Sequence, residues 1–185
     1  KWLADPAEEP EPFGDGGTKM AWNTFNVVSI YPNGNPVMSD VNQRWVGDCC
    51  ACAVIASMAY LYPRFVKHII KDNMDKTYTV TMYDPKGKQI SVGVGGDYFI
   101  GNSGDLGALG GRNKEVTWAT ILEKAMIKWN QIYQGSSNVG GIGTEYVSAI
   151  FTGDGESVGF GANALIAEDL QRAVEVSLKQ GRLVI

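Results

Sequence analysis

The sequence predicts an α+β domain, mainly helical, with one small β-hairpin and a cysteine at the head of its most apolar helix. Three stretches carry that expectation. Cys49–Tyr62 contains no charged residue over a length suited to a core helix. Thr77–Tyr83 and Gln89–Val94 are rich in β-formers, the first alternating at period two, and they flank the turn Asp84-Pro-Lys-Gly87, a hairpin pattern. Val116–Tyr133 places Trp118, Ile121, Leu122, Ala125, Trp129, Ile132 and Tyr133 at helical spacing.

The remaining segments are read in order. Residues 1–20 form an acidic extension rich in Pro and Gly, expected to be an extended, solvated tail. Residues 21–185 form the folded lobe. Residues 21–40 read as short strand and turn, ending in Tyr31-Pro-Asn-Gly-Asn-Pro36. The uncharged Cys49 helix should be buried on every face and run through the middle of the fold, until Pro63 ends it. A shorter helix resumes at Arg64–Lys71, with Phe65, Ile69 and Ile70 inward and His68 as a satisfied structural histidine. Gly101–Arg112 is a glycine-rich loop without a phosphate-binding ending. On the Val116–Tyr133 helix, Glu123, Lys124 and Lys128 are expected outside. After a flexible Gly135–Gly143 turn come a short helix at Thr144–Phe151 and a last one at Ile166–Gln180. That last helix should bury Ile166, Leu170, Ala173, Val174, Ser177 and Leu178. An apolar strand begins at Leu183, which predicts that further chain follows Ile185.

Composition narrows the function classes. The 185 residues, 44% hydrophobic and 19% charged, suffice for one domain or one lobe with a real core. A net charge of -4 leaves no basic footprint for nucleic acid. No uncharged apolar run reaches the ~18 residues of a membrane span. Cys49, Cys50 and Cys52 are too close on one helix to pair with each other, and with a single histidine they cannot complete a zinc site. The chain begins with Lys1, which predicts a processed N-terminus and favours a secreted or cell-envelope protein over a cytoplasmic one.

The chemistry concentrates in Gln43-Arg-Trp-Val-Gly47-Asp48-Cys49. A thiolate is the reactive form of cysteine, and a helix N-terminus favours it through free N–H groups and the dipole. Gly47 permits a tight turn and close approach of a substrate backbone. The Gln43 amide and the Cys49 N–H are a candidate pair of oxyanion donors, and the whole arrangement suits acyl transfer.

The residues also show a resemblance. Asp40-Val-Asn-Gln43, then Gly47-Asp48-Cys49 and Ala53-Val-Ile-Ala-Ser57, resemble the active-site segment of calpain-type cysteine peptidases. Trp118-Ala-Thr-Ile-Leu-Glu-Lys-Ala125, Gly140-Gly141 and Phe151-Thr-Gly153 are similar to further motifs of that family, in the same order. The resemblance implies a papain-like fold whose helical lobe carries the nucleophile, and an endopeptidase acting on peptide or protein substrates. Cys49 would be the nucleophile, Gln43 the oxyanion donor and Gly141 part of the edge that binds substrate backbone. A second chain or a C-terminal segment would bring the catalytic His and Asn. The resemblance also implies Ca²⁺, held by Asp40, Glu115 and the carbonyls of Asn33 and Asn35, and hard oxygen donors suit that ion. The chain departs from the family pattern in two places. Cys50 stands where a Trp normally follows the nucleophile, and Glu115 lies one residue further from Trp118 than is usual. The alternative readings are a pseudo-peptidase binding module, suggested by the absent base, and a papain-fold acyltransferase of transglutaminase type.

Overall fold

The computed structural model describes residues 3–13, 20–155, 166–182 and 184. It is an α+β arrangement of five helices and two small antiparallel sheets among those residues. Strand β1 (Ala21–Thr24) pairs with β5 (Asp97–Ile100). Strands β2 (Ile70–Asp72), β3 (Tyr78–Tyr83) and β4 (Gln89–Val94) form the other sheet in that order. The expected hairpin is β3–β4, in register from Tyr78 opposite Val94 to Tyr83 opposite Gln89. Period two shows in β3, where Tyr78, Val80 and Met82 turn inward.

Helix α1 (Cys49–Leu61) and helix α2 (Pro63–Ile69) meet at an angle of 113°. Pro63 takes the first position of α2, and the residue before it, Tyr62, is forced out of helical geometry and ends α1. Helix α2 stops at Ile69, two residues short of the expected Lys71, because Ile70–Asp72 join β3 as an edge strand. No single helix among the described residues is long and apolar enough to cross a membrane.

The helix enclosed at the centre is not α1 but α3 (Trp118–Gln134). Helix α1 buries Ala51, Val54, Ile55, Met58 and Ala59 but leaves Cys49 and Tyr60 in solvent. Helix α3 is buried without a break from Trp118 to Asn130, so Glu123, Lys124 and Lys128, expected outside, are 1%, 2% and 3% exposed. Each is enclosed with partners, as a buried charge requires. Lys124 donates to the carbonyls of Gly95 and Asp97, pairs with Glu9 at 2.6 Å, and lies over the rings of Trp22 and Tyr98 at 4.6 and 5.3 Å. Lys128 donates to the carbonyls of Asp5 and Gly93, each at 2.6 Å.

Those contacts account for the N-terminal segment. Residues 3–13 are extended, as expected, but packed rather than solvated. The Leu3 N–H donates to Ser91, the Gly93 N–H donates to Ala4, and Ala4 bridges Val92 in parallel, so the strap lengthens the β3–β4 sheet. Pro6 lies flat on Gly93, where any Cβ would come within 2.4 Å of the ring. The Gly14–Gly17 part of the expected tail lies outside the described residues.

Helices α4 (Thr144–Thr152) and α5 (Ala167–Lys179) occur where expected. Helix α4 packs on α1 and β3 through Val147, Ile150 and Phe151. Helix α5 departs from expectation, because none of its side chains is fully buried among the described residues. Just past its end, the Tyr62 hydroxyl donates to the carbonyl of Gly181. The strand expected from Leu183 lies outside the described residues, Val184 excepted.

If the strap is held electrostatically, Glu9→Ala should lower the unfolding free energy by about 1–3 kcal/mol, because it strips a charged partner from a buried ammonium. Urea unfolding reads this directly, and an unchanged midpoint would mean that the Glu9–Lys124 pair contributes nothing to stability.

Candidate active site

The loop before α1 is braced by backbone contacts to the glycine-rich segment. Asn42 exchanges N–H···O bonds with Gly110, at 3.0 and 3.3 Å, and the Trp45 N–H donates to Gly107. The Trp45 indole rests on Gly101, where a Cβ would come within 2.4 Å of its Nε1, and on Gly107. Only glycine lets the two chains approach this closely. Arg44 donates to the Gly111 carbonyl from the other side of the loop.

Gln43 donates one amide hydrogen to the Val46 carbonyl at 2.9 Å, which closes the loop on itself. A carboxamide has two N–H donors, so the second stays available to a ligand. Gly141, in the left-handed region at φ +74°, donates its N–H to the Gly47 carbonyl at 3.3 Å. That bond brings the Gly140-Gly141 turn against the turn preceding Cys49. Cys49 occupies the first position of α1 and is exposed to solvent.

The other two cysteines are held as thiols. Burial, followed by the charges of Asp48 and Glu123, pushes the Cys52 thiol far up. Burial, then the Cys49 thiol beside it, pushes Cys50 up as well. Cys52 donates its S–H to Asp48 Oδ1 at 3.5 Å. Asp48 and Glu123 are both 1% exposed, and their carboxyl groups lie against each other. Two carboxyl groups so placed can hydrogen-bond only with a proton between them. Burial raises Asp48 to about 6, and burial with the adjacent Asp48 charge raises Glu123 well above the carboxylate range. Sequence reading missed this pair, although Glu123 stands in the quoted Leu-Glu-Lys-Ala stretch and Asp48 precedes the cysteine.

His68, expected to be a satisfied structural histidine, is instead exposed near the end of α2. It lies past the far end of α1, a helix whose 13 residues span about 18 Å, and so is remote from Cys49.

The oxygen donors suggested for calcium are only partly gathered. Asp40 is buried and accepts N–H bonds from Asn33 Nδ2 at 2.9 Å, Val37 at 3.2 Å and Trp118 Nε1 at 2.7 Å. Its carboxylate thus anchors the start of α3 and is largely saturated. Between Asn33 and Asn35, the Gly34 carbonyl is taken by the Lys67 ammonium. The Glu115 carboxylate packs against Gly111 and keeps one buried oxygen, Oε2, without a hydrogen-bond partner. No group of three or more His, Cys, Asp or Glu side chains among the described residues is arranged to hold a metal ion.

Comparison with known proteins places the chain more firmly. The family model described as calpain family cysteine protease matches residues 22–184. No curated protein matches the chain.

The carboxyl pair sets a pH dependence of stability. Both folded values lie above those of free side chains, about 3.9 and 4.3, so the folded state binds more protons than the unfolded one between the two limits. The contribution is therefore complete below about pH 4 and is lost as pH rises, through about 6 for Asp48 and beyond for Glu123. Glu123→Gln removes the second part. Thermal melts should show this variant gaining on the wild type as pH increases above 6, and parallel curves would rule out a proton on Glu123.

Proposed function

The chain belongs to the calpain family of cysteine proteases, and from that premise we propose that it is the nucleophile-bearing lobe of a cysteine endopeptidase. The observation that carries the reading is the contrast among three neighbouring cysteines. Cys49 is exposed at the start of α1, whereas Cys50 and Cys52 are kept protonated by their surroundings.

In this reading the Cys49 thiolate attacks the peptide carbonyl carbon, and the C=O π electrons move onto oxygen. The free N–H of Gln43 and the backbone N–H of Cys49 stabilise that oxyanion. Collapse expels the amine, which takes a proton from a histidinium, and water then hydrolyses the thioester. Gly141, held to Gly47, offers its turn as an edge for substrate backbone. The histidine and its asparagine come from a second chain or a further segment, because His68 is at the wrong end of α1. The same observation favours a second reading, a binding module whose cysteine is not turned over.

Calcium is a separate part of the proposal. The unpartnered Glu115 Oε2 and the oxygen character of Asp40, Asn33 and Asn35 support it, and Asp40 would have to release one of its N–H donors to coordinate the ion.

In the enzyme complemented with its His and Asn segment, Cys49→Ala should abolish both peptide hydrolysis and labelling by a peptidyl epoxide. Gln43→Ala should reduce kcat about 10²–10³-fold with little change in KM. A complemented enzyme that takes up the epoxide at another residue would refute the nucleophile. One that binds peptide without cleaving it would favour the binding module, and one that joins the acyl group to an added amine would make it an acyltransferase. For calcium, a concentration a hundred times its Kd should stabilise the chain by about 2.7 kcal/mol, an effect that Glu115→Gln should diminish. A melting curve that ignores calcium would remove the ion from the account.

A further inference from the structure

An Asp at the position before a helix usually turns its side chain back onto the N–H groups of the first turn. Asp48 holds that position for α1 and makes no such bond. Its carboxyl is drawn the other way, into the core. Oδ1 accepts the Cys52 thiol, and the carboxyl lies against the buried Glu123 carboxyl of α3. Glu123 is fixed in turn by the Leu109 N–H, which lies 3.1 and 3.0 Å from its two oxygens. Asp48 Oδ2 is buried and takes no N–H or alcohol O–H from the protein. The N–H groups of Cys49, Cys50 and Ala51 consequently have no acceptor among the described residues.

We propose that Glu123 is a positioning residue for the peptidase reaction: as a protonated acid it donates to Asp48 Oδ2, holds that carboxylate away from α1, and leaves the first-turn N–H groups free for the Cys49 thiolate and the oxyanion. The inference rests on the reading of Cys49 as the nucleophile.

The geometry assigns the proton to one side of the pair. Asp48 accepts the Cys52 S–H, which suits the charged member. Glu123 accepts the Leu109 N–H and lies against the Asp48 carboxyl. The groups whose charges reach this cluster are Cys49, Cys50 and Cys52 on α1 and Glu145 at the start of α4. All are neutral or negative, so the proton on Glu123 keeps a second anion from forming behind Cys49.

The test uses this chain with Cys50→Ala as background and follows iodoacetamide labelling of Cys49 by peptide mass. Glu123→Gln supplies an N–H where the acid supplied its O–H, so labelling at neutral pH should stay within about twofold of the background chain. Glu123→Leu frees Asp48 to cap α1 and should slow labelling about three- to tenfold. Adding Asp48→Ala to Glu123→Leu leaves no carboxyl to form the cap and should restore the rate, which simple packing damage would not allow. Infrared spectra give a readout that does not involve the cysteine. The chain should show the carbonyl stretch of a protonated carboxylic acid at neutral pH, and Glu123→Gln should abolish it. If Glu123→Leu does not fold, that band still decides the matter. A missing acid band, or a Gln variant as slow as the Leu variant, would overturn the proposal. Labelling as described in an enzyme that never cleaves peptide would instead refute the peptidase reading alone.

Discussion

Much of the described structure is arranged around the burial of α3, a helix that carries Glu123, Lys124 and Lys128 into the core. An isolated charge in a medium of low polarity is prohibitively unfavourable, so the surrounding chain is obliged to supply partners or to remove the charge. Both solutions appear. Burial lowers the pKa of both lysines, and they are met by carbonyls and by Glu9. Glu123 takes the other course and keeps its proton. The two faces of α3 therefore impose different structures on their neighbours. On the lysine side an acidic strap is pulled across the sheet. On the glutamate side the start of α1 is tied down.

That division links stability to the site. The strap on one side of α3 and the cysteine helix on the other share a single rigid element, while the loop that carries Gln43 is held mainly by backbone contacts to glycines. Contacts of that kind fix the path of the chain without demanding particular side chains at the rim. The half-exposed Trp45 illustrates the consequence. It uses Gly101 and Gly107 as a floor, in the loop leading to a cysteine whose usual tryptophan neighbour is replaced by Cys50.

What the sequence revealed follows the same logic. Periodicity located α1, α3, α4 and the β3–β4 hairpin because local pattern and burial agree there. The nucleophile candidate was legible because Gln43, Gly47 and Cys49 lie within one loop. The position of α3 was not legible, because charged residues at helical spacing read as a solvated face unless their partners are known. Those partners, Glu9, Asp5 and Asp97 on one side and Asp48 and Leu109 on the other, are all 14 or more residues distant in sequence. The strap was misread for the same reason, since its acids look surplus until Lys124 is known to be inside. Helix α5 was misread in the opposite sense. Its apolar stripe is real, but the described residues do not cover it.

The charge distribution bears on what completes the site. Around Cys49 lie the Asp48 and Glu145 carboxylates and the protonated Glu123, and no lysine or arginine forms a described hydrogen bond or ion pair with any of them. A cysteine in such a field gains its reactive form from the open first turn of α1, and more effectively from a cation brought against it. Under the proposed function that cation is a histidinium from outside the described site. The buried Asp48 carboxylate, in the residue preceding the nucleophile, would then favour the charged imidazole over the neutral one. In that reading the Asp48 anion assists the thiolate–imidazolium pair as a whole.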